Sequence, residues 1–212
     1  MTTAITAYSE INPDTIDFDS LTWVQEYQKH NTVIHIAAVE NHDIKAFRAV
    51  STFDASLQQM VGAITDMTRF TDWMHGAKEA YVVKKLADNV QACYFRNDVP
   101  FPLKDRDGVI VQKVIQEAPG RVRIHLNLMN ELVPEDSHYV RVDHLEGDWL
   151  IEDLGDGKVQ LTYQIHLDPQ GMIPDWAVNF LITETPSKSL KNLKKVDFSF
   201  YANQASDLLS VN

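Results

Sequence analysis

The feature that most constrains this fold is an unbroken series of strand-like segments between about Glu79 and His166. AYVVKKLA, QACYFRND, GVIVQKVIQEA, RVRIHLNLM, YVRVDHLEGDWLIED and VQLTYQIHL follow one another directly. Each is rich in β-branched or aromatic residues, and each is bounded by turn signals. Those signals are Asp88-Asn89, Pro100–Asp107, Pro119-Gly120, Pro134–Ser137 and Gly155-Asp156-Gly157. No helical period intervenes. Parallel neighbours need a crossover of a dozen or more residues, so directly joined strands predict an antiparallel meander.

The flanks differ. TVIHIAAVE and IKAFRAVSTFDA, separated by Asn41-His42-Asp43, predict a hairpin over 32–55. At Ser56 the period switches. Leu57, Met60, Val61, Ile64 and Met67 fall on one helix face, and Ser56 with Gln59 forms a capping box. Phe70, Trp73 and Met74 predict a second short helix. Upstream, Ser20 as N-cap and Trp23, Val24 and Tyr27 at helical spacing predict a helix to about Lys29. Residues 1–19 are polar and read as a loose arm before a single domain over 20–205. Downstream, Pro174 and Asp175 open a final helix with Val178, Leu181, Ile182, Leu190, Leu193 and Val196 on one broad face. Pro186 lies inside that pattern and should kink or split it. The fold class expected is α+β, one curved antiparallel sheet wrapped around a C-terminal helix.

Charge excludes several partners. Nineteen Lys and Arg stand against 30 Asp and Glu, a net charge of −11. Non-specific nucleic-acid binding and strong attraction to anionic membranes both need a basic footprint. A single cysteine, Cys93, forbids an internal disulfide and a multi-cysteine zinc site. The N-terminal residues have neither a basic start nor an apolar run, and no stretch reaches the ~20 apolar residues of a membrane span. A soluble, cytoplasmic protein is expected.

Several sequence words, in order, resemble the START lipid-transfer domain of the Bet v 1-like helix-grip superfamily. They are Trp23, KAFRAV at 45–50, Asp66 with Trp73, PFPLKDRD at 100–107, YVR at 139–141, GDWLIE at 147–152, DPQGMIPDW at 168–176 and Asn179. The likeness spans roughly 20–200 and is closest to bacterial single-domain members. It implies a helix-grip fold with a tunnel for one sterol, phospholipid or other hydrophobic molecule. It also implies a gate formed by the loop Pro100, Phe101, Pro102 and Leu103 together with the final helix. Pro100-Phe101-Pro102 stands where the family often has Pro-Trp-Pro, and Gln170 where it often has glycine. Cholesterol-binding members carry an acid–arginine pair at the positions that align with Cys93 and Gln112. The resemblance therefore implies the tunnel without that pair.

Strand parity and helical spacing give the expected lining: Cys93, Phe95, Ile110, Gln112, Val142 and His144 from strands, and Ile182, Ser189 and Leu193 from the final helix. On the two central strands Gln91, Cys93 and Phe95 share parity, as do Ile110, Gln112 and Val114; if those faces point inward the lining there is apolar with amides and one thiol, which suits a lipid or other neutral hydrophobic ligand. Phe101 is expected either to rest buried or to alternate between the final helix and a membrane. His138 and His144, six residues apart on one strand, are ~20 Å apart and cannot share a metal ion. His35, His125 and His166 alternate with apolar neighbours on separate strands, each a candidate hydrogen-bond donor to the tunnel. Asp105-Arg106-Asp107 reads as a structural clamp, given arginine's planar fork. There is no G-x-S-x-G elbow or P-loop. No catalytic set, cofactor or metal is expected, and the partners are a hydrophobic small molecule and, transiently, a membrane. The alternative is an aromatase/cyclase-type enzyme on the same superfamily fold.

Overall fold

In a computed structural model, residues 16–29, 31–171 and 173–202 are described. The chain forms β1 (Val24–Lys29), β2 (Thr32–Ala37), β3 (Ala46–Asp54), α1 (Leu57–Thr65), α2 (Phe70–Trp73), β4 (Ala77–Ala87), β5 (Val90–Asn97), β6 (Arg106–Ala118) and β7 (Arg121–Leu128). After these come β8 (Val140–Arg141), β9 (His144–Gly155), β10 (Lys158–Asp168), α3 (Asp175–Asn179) and α4 (Thr185–Leu193). A ten-stranded sheet runs β1-β2-β3-β10-β9-β7-β6-β5-β4, with the short β8 paired parallel to β6. The meander from β4 to β10 closes onto the hairpin β2–β3 through β10–β3 pairing. The final helix packs on β2, β3 and α2, while α1 packs on β7, β9 and β10. Two helical segments therefore fill the concave side, in the helix-grip arrangement.

The predicted capping box forms: Ser56 Oγ accepts from Gln59 N at 3.2 Å, and Gln59 Oε1 accepts from Ser56 N at 2.8 Å. The predicted first helix does not form. Residues 24–29 are an edge strand, with Val24 opposite Ile36 and Tyr27 opposite Ile34. Three apolar residues in so short a window fit a strand as well as a helix, and pairing with β2 decides the matter. Trp23 lies before that strand, under the Arg48 guanidinium at 4.2 Å.

The arm is also partly corrected. Phe18 is buried, and Ile16 N donates to Glu146 Oε2. Residues 16–19 thus lie on the convex face of the sheet; the rest of the arm and residues 203–205 of the expected domain fall outside the described residues. Beneath this segment a polar layer is buried. Arg123 bonds Asp148 and Glu117, and Gln164 donates to both Asp148 oxygens and accepts from Arg48.

Pro186 neither breaks nor ends the final helix. Upstream of it, Phe180–Glu184 form a π-turn, and the Thr185 amide donates to the Phe180 carbonyl five residues back. A proline ring clashes with the carbonyl four residues back, and a widened turn relieves that clash. The helix thus runs on from α3 through the π-turn to α4.

Candidate functional site

Register assigns each strand residue to a face, because directly paired residues share one. On the concave face β5 presents Gln91, Cys93 and Phe95, and β6 presents Ile110, Gln112 and Val114. Trp149 and Tyr163 face each other across β9 and β10. Their rings stack 3.6 Å apart, with Trp73 edge-on to Trp149 and Phe47 edge-on to Tyr163. This aromatic stack occupies the middle of the grip. Trp73 Nε1 is buried and without a hydrogen-bond partner among the described residues. Burial raises the Tyr163 hydroxyl pKa and pushes the Cys93 thiol up to about 12.

The predicted lining residues divide. Cys93, Phe95, Ile110, Val142 and Leu193 join one hydrophobic cluster, with Ile182 packed against it. Gln112 is buried beside Cys93, its Oε1 3.9 Å from the sulfur. Its amide is held by Gln91 and reaches the Ile64 carbonyl and the Met67 sulfur. The helical segment nearest Gln112 is therefore the end of α1, not the final helix. Ser189 is a structural clamp: its hydroxyl accepts from His75 N at 3.0 Å and donates to the Thr185 carbonyl at 2.7 Å.

His144 is a correction. The strand expected over 139–153 breaks at Val142–Asp143, so parity is not carried across it. Val142 stays in the concave core, while His144 shares the convex face with Glu146 and Asp148. His35, His125 and His166 also lie on the convex face, opposite Arg48, Asp148 and Glu146. No histidine of the three faces the concave side.

Open space lies at the ends of the grip. A cleft of about 1140 Å³ opens between the β2–β3 turn, residues 168–171 and 173–174, and the final helix, with Ile36, Ile44, Val178 and Ile182 on its apolar side. The same Ile44, Val178 and Ile182 continue inward to Phe47, Ile165 and Leu167 of the concave face. Glu26, Asp43, Lys45 and Asp168 make the outer part of this cleft polar, which the apolar lining expected from sequence does not include. A second cleft of about 600 Å³ lies beside α1 and the β4–β5 turn, against Gln91 and Gln112.

The gate loop is not the permanently buried one of the two expected forms. Phe101 is 94% exposed, and the turn is closed by Leu103 N donating to the Pro100 carbonyl. Flanking prolines and that turn hold the ring outward rather than against the helix. Arg106 acts as the expected clamp, donating to the carbonyls of Lys104, Pro169 and Gln170. It joins the base of the loop to the turn that leads into the final helix, where Trp176 is also exposed. Asp107 pairs with both Arg141 donors.

One group was not foreseen. His42, His144 and His166 converge, with His144 Nε2 and His166 Nδ1 2.8 Å apart. Burial, followed by neighbouring His144 and His42, pushes His166 down to about 4 against an opposing bond to Ile44. Sequence spacing reveals such a trio only when the β9–β10 register is known. The aromatic stack of Trp73, Trp149 and Tyr163 was missed for the same reason.

The START domain model matches residues 11–197 of the chain. An uncharacterized protein of Pseudomonas aeruginosa is 27% identical over 172 residues, 81% of this chain and 85% of that one. Phosphatidylcholine transfer protein from mouse is 26% identical over 134 residues, 61% of this chain and 62% of its own. The structure of a STAR-related lipid transfer protein from Xanthomonas axonopodis superposes with a TM-score of 0.75 at 26% identity. It covers 82% of this chain and 97% of that fragment.

Proposed function

The chain belongs to the START domain family, and from that premise we propose that it binds one neutral or zwitterionic lipid against its concave face and carries it between membranes. The observation that carries this reading is the chemistry of that face. Cys93, Ile110, Gln112, Ile124, Trp149 and Ile165 point inward without a charge among them. Ionised groups are costly to bury unpaired, so such a surface favours acyl chains or a sterol-like body over an anion. Gln112 and Trp73 Nε1, which has no partner among the described residues, are the polar groups that orient it. Two of the relatives named above, phosphatidylcholine transfer protein and the STAR-related lipid transfer protein, support the same class of cargo.

Entry is through the cleft that Ile182 shares with the concave face. The aromatic stack fills the grip, so loading requires the final helix to lift or the stack to part. The π-turn at Phe180–Glu184 is the place for the helix to yield, since its wider turn has weaker ladder bonds than the α-helix on either side. Phe101 and Trp176, exposed on segments that Arg106 ties together, are the membrane-facing anchors. The protein acts as a carrier, without covalent chemistry. A vesicle-to-vesicle assay with fluorescent phosphatidylcholine tests this. Saturable, protein-dependent transfer that a Trp149→Arg substitution abolishes is expected; transfer equal to a no-protein blank contradicts the reading.

A further inference from the structure

We propose that His42, His144 and His166 form a binding site for a divalent transition-metal ion of the zinc class, built on the convex rim of the sheet. The three imidazoles come from three elements: the β2–β3 turn, the start of β9 and the end of β10. Their ligating nitrogens lie within 4.8 Å of one another. Ring centroids are 5.1 Å for His42–His144, 4.5 Å for His42–His166 and 4.8 Å for His144–His166. Nitrogens bound tetrahedrally at ~2.0–2.1 Å stand about 3.4 Å apart. His144 and His166 must therefore open slightly from 2.8 Å, and His42 must swing inward from an exposed turn.

The hydrogen bonds already orient one ligand. The Ile44 carbonyl can only accept, so His166 Nε2 carries the proton, at 3.0 Å from that oxygen. His166 Nδ1 is left with a lone pair directed at His144. A ligating imidazole whose other nitrogen donates to a backbone carbonyl is the usual arrangement at metal centres. Glu146 Oε1 lies 3.7 Å from His144 Nε2 and adds negative charge beside the site. Three imidazoles without a thiolate suit zinc, copper or nickel; calcium and magnesium prefer oxygen sets. His42 and His166 also line the cleft, so a fourth position is open to water there. An ion at this point would staple the β2–β3 turn to β9 and β10 across the rim of the entry cleft.

Titration calorimetry of the untagged full chain with zinc chloride tests this, alongside thermal melts. One zinc per chain is expected, with a melting temperature that rises on zinc addition. His42→Ala removes a ligand from an exposed turn and leaves the metal-free melt unchanged. It should weaken zinc binding by roughly 100-fold or more, beyond what loss of an outer partner costs. His144→Gln should do the same, while His138→Ala, at an exposed histidine outside the trio, should bind as the wild type. Absence of saturable zinc binding, or binding unchanged in the His42→Ala/His144→Gln double variant, would overturn the site.

Discussion

Gly147→Ala should be among the most damaging single-methyl additions in this chain. Gly147 lies on the concave face of β9, opposite Ile165 of β10. A Cβ built there stands 2.2 Å from the Gln164 carbonyl oxygen and 3.0 Å from Ile165 Cα and Cγ1. Ordinary carbon–oxygen contacts begin at about 3.3 Å, so β10 would have to retreat by roughly 1 Å. The strand is poorly placed to do so. Gln164 is held by Asp148 and Arg48, and Tyr163 is stacked on Trp149. Overpacking costs about 1–3 kcal/mol, and a clash with backbone belongs at the upper end or beyond. At about 2–4 °C per kcal/mol for a chain of this size, the melting temperature should fall by ~6–12 °C. Gly108→Ala is the internal control. Its methyl meets side-chain atoms, the Phe95 ring edge at 2.9 Å and Asn130 Oδ1 at an ordinary 3.6 Å, and a side chain can shift where backbone cannot. Urea unfolding followed by tryptophan fluorescence measures both variants. If Gly147→Ala costs no more than Gly108→Ala, the argument from backbone approach is wrong.

Phe101→Asp should leave the melting temperature unchanged, since the ring is almost wholly exposed, yet slow vesicle transfer by ~10-fold or more, given ~1.5–3 kcal/mol for burying a phenyl group; equal transfer by both proteins would remove the loop from the membrane contact. Cys93 should resist iodoacetamide at pH 8 in the folded protein and react on unfolding in urea, because burial holds the thiol protonated; rapid native-state alkylation counts against a packed inner face. Burial pulls the Glu117 carboxyl up, but hydrogen bonds from Arg123 and Arg121 outweigh it and hold the group below the ordinary carboxylate range. Its stabilising effect is then present above the unfolded value near 4.3 and is lost as pH falls through the lower folded value, so Glu117→Gln should cost stability at pH 7 and little at the acid end; a cost that does not change with pH denies the coupling.

The sequence made the meander, the β2–β3 hairpin and the capped α1 legible, because each depends on local period and turn chemistry. The concave placement of Cys93, Phe95, Ile110 and Gln112 followed from alternation along two uninterrupted strands. His144 was misplaced because the chain leaves the strand at Val142–Asp143, a break that alternation cannot register. The segment 24–29 was misread because pairing with β2, a tertiary contact, overrides a short apolar spacing. Pro186 was expected to kink or split the final helix, but the helix runs on through a π-turn just before it, a relief that depends on neighbouring turns which spacing does not describe. The polar layer of Arg123, Asp148 and Gln164 joins residues from three strands, and only register brings them together.

Mass spectrometry of an organic extract from the purified protein, paired with native mass spectrometry of the intact chain, tests the central claim most directly. After exposure to a total membrane lipid extract, the account predicts one lipid per chain. That lipid should be neutral or zwitterionic, and the Trp149→Arg variant should not retain it. A chain that stays lipid-free after that exposure, or one that selects anionic lipid in the wild type and the variant alike, would contradict it.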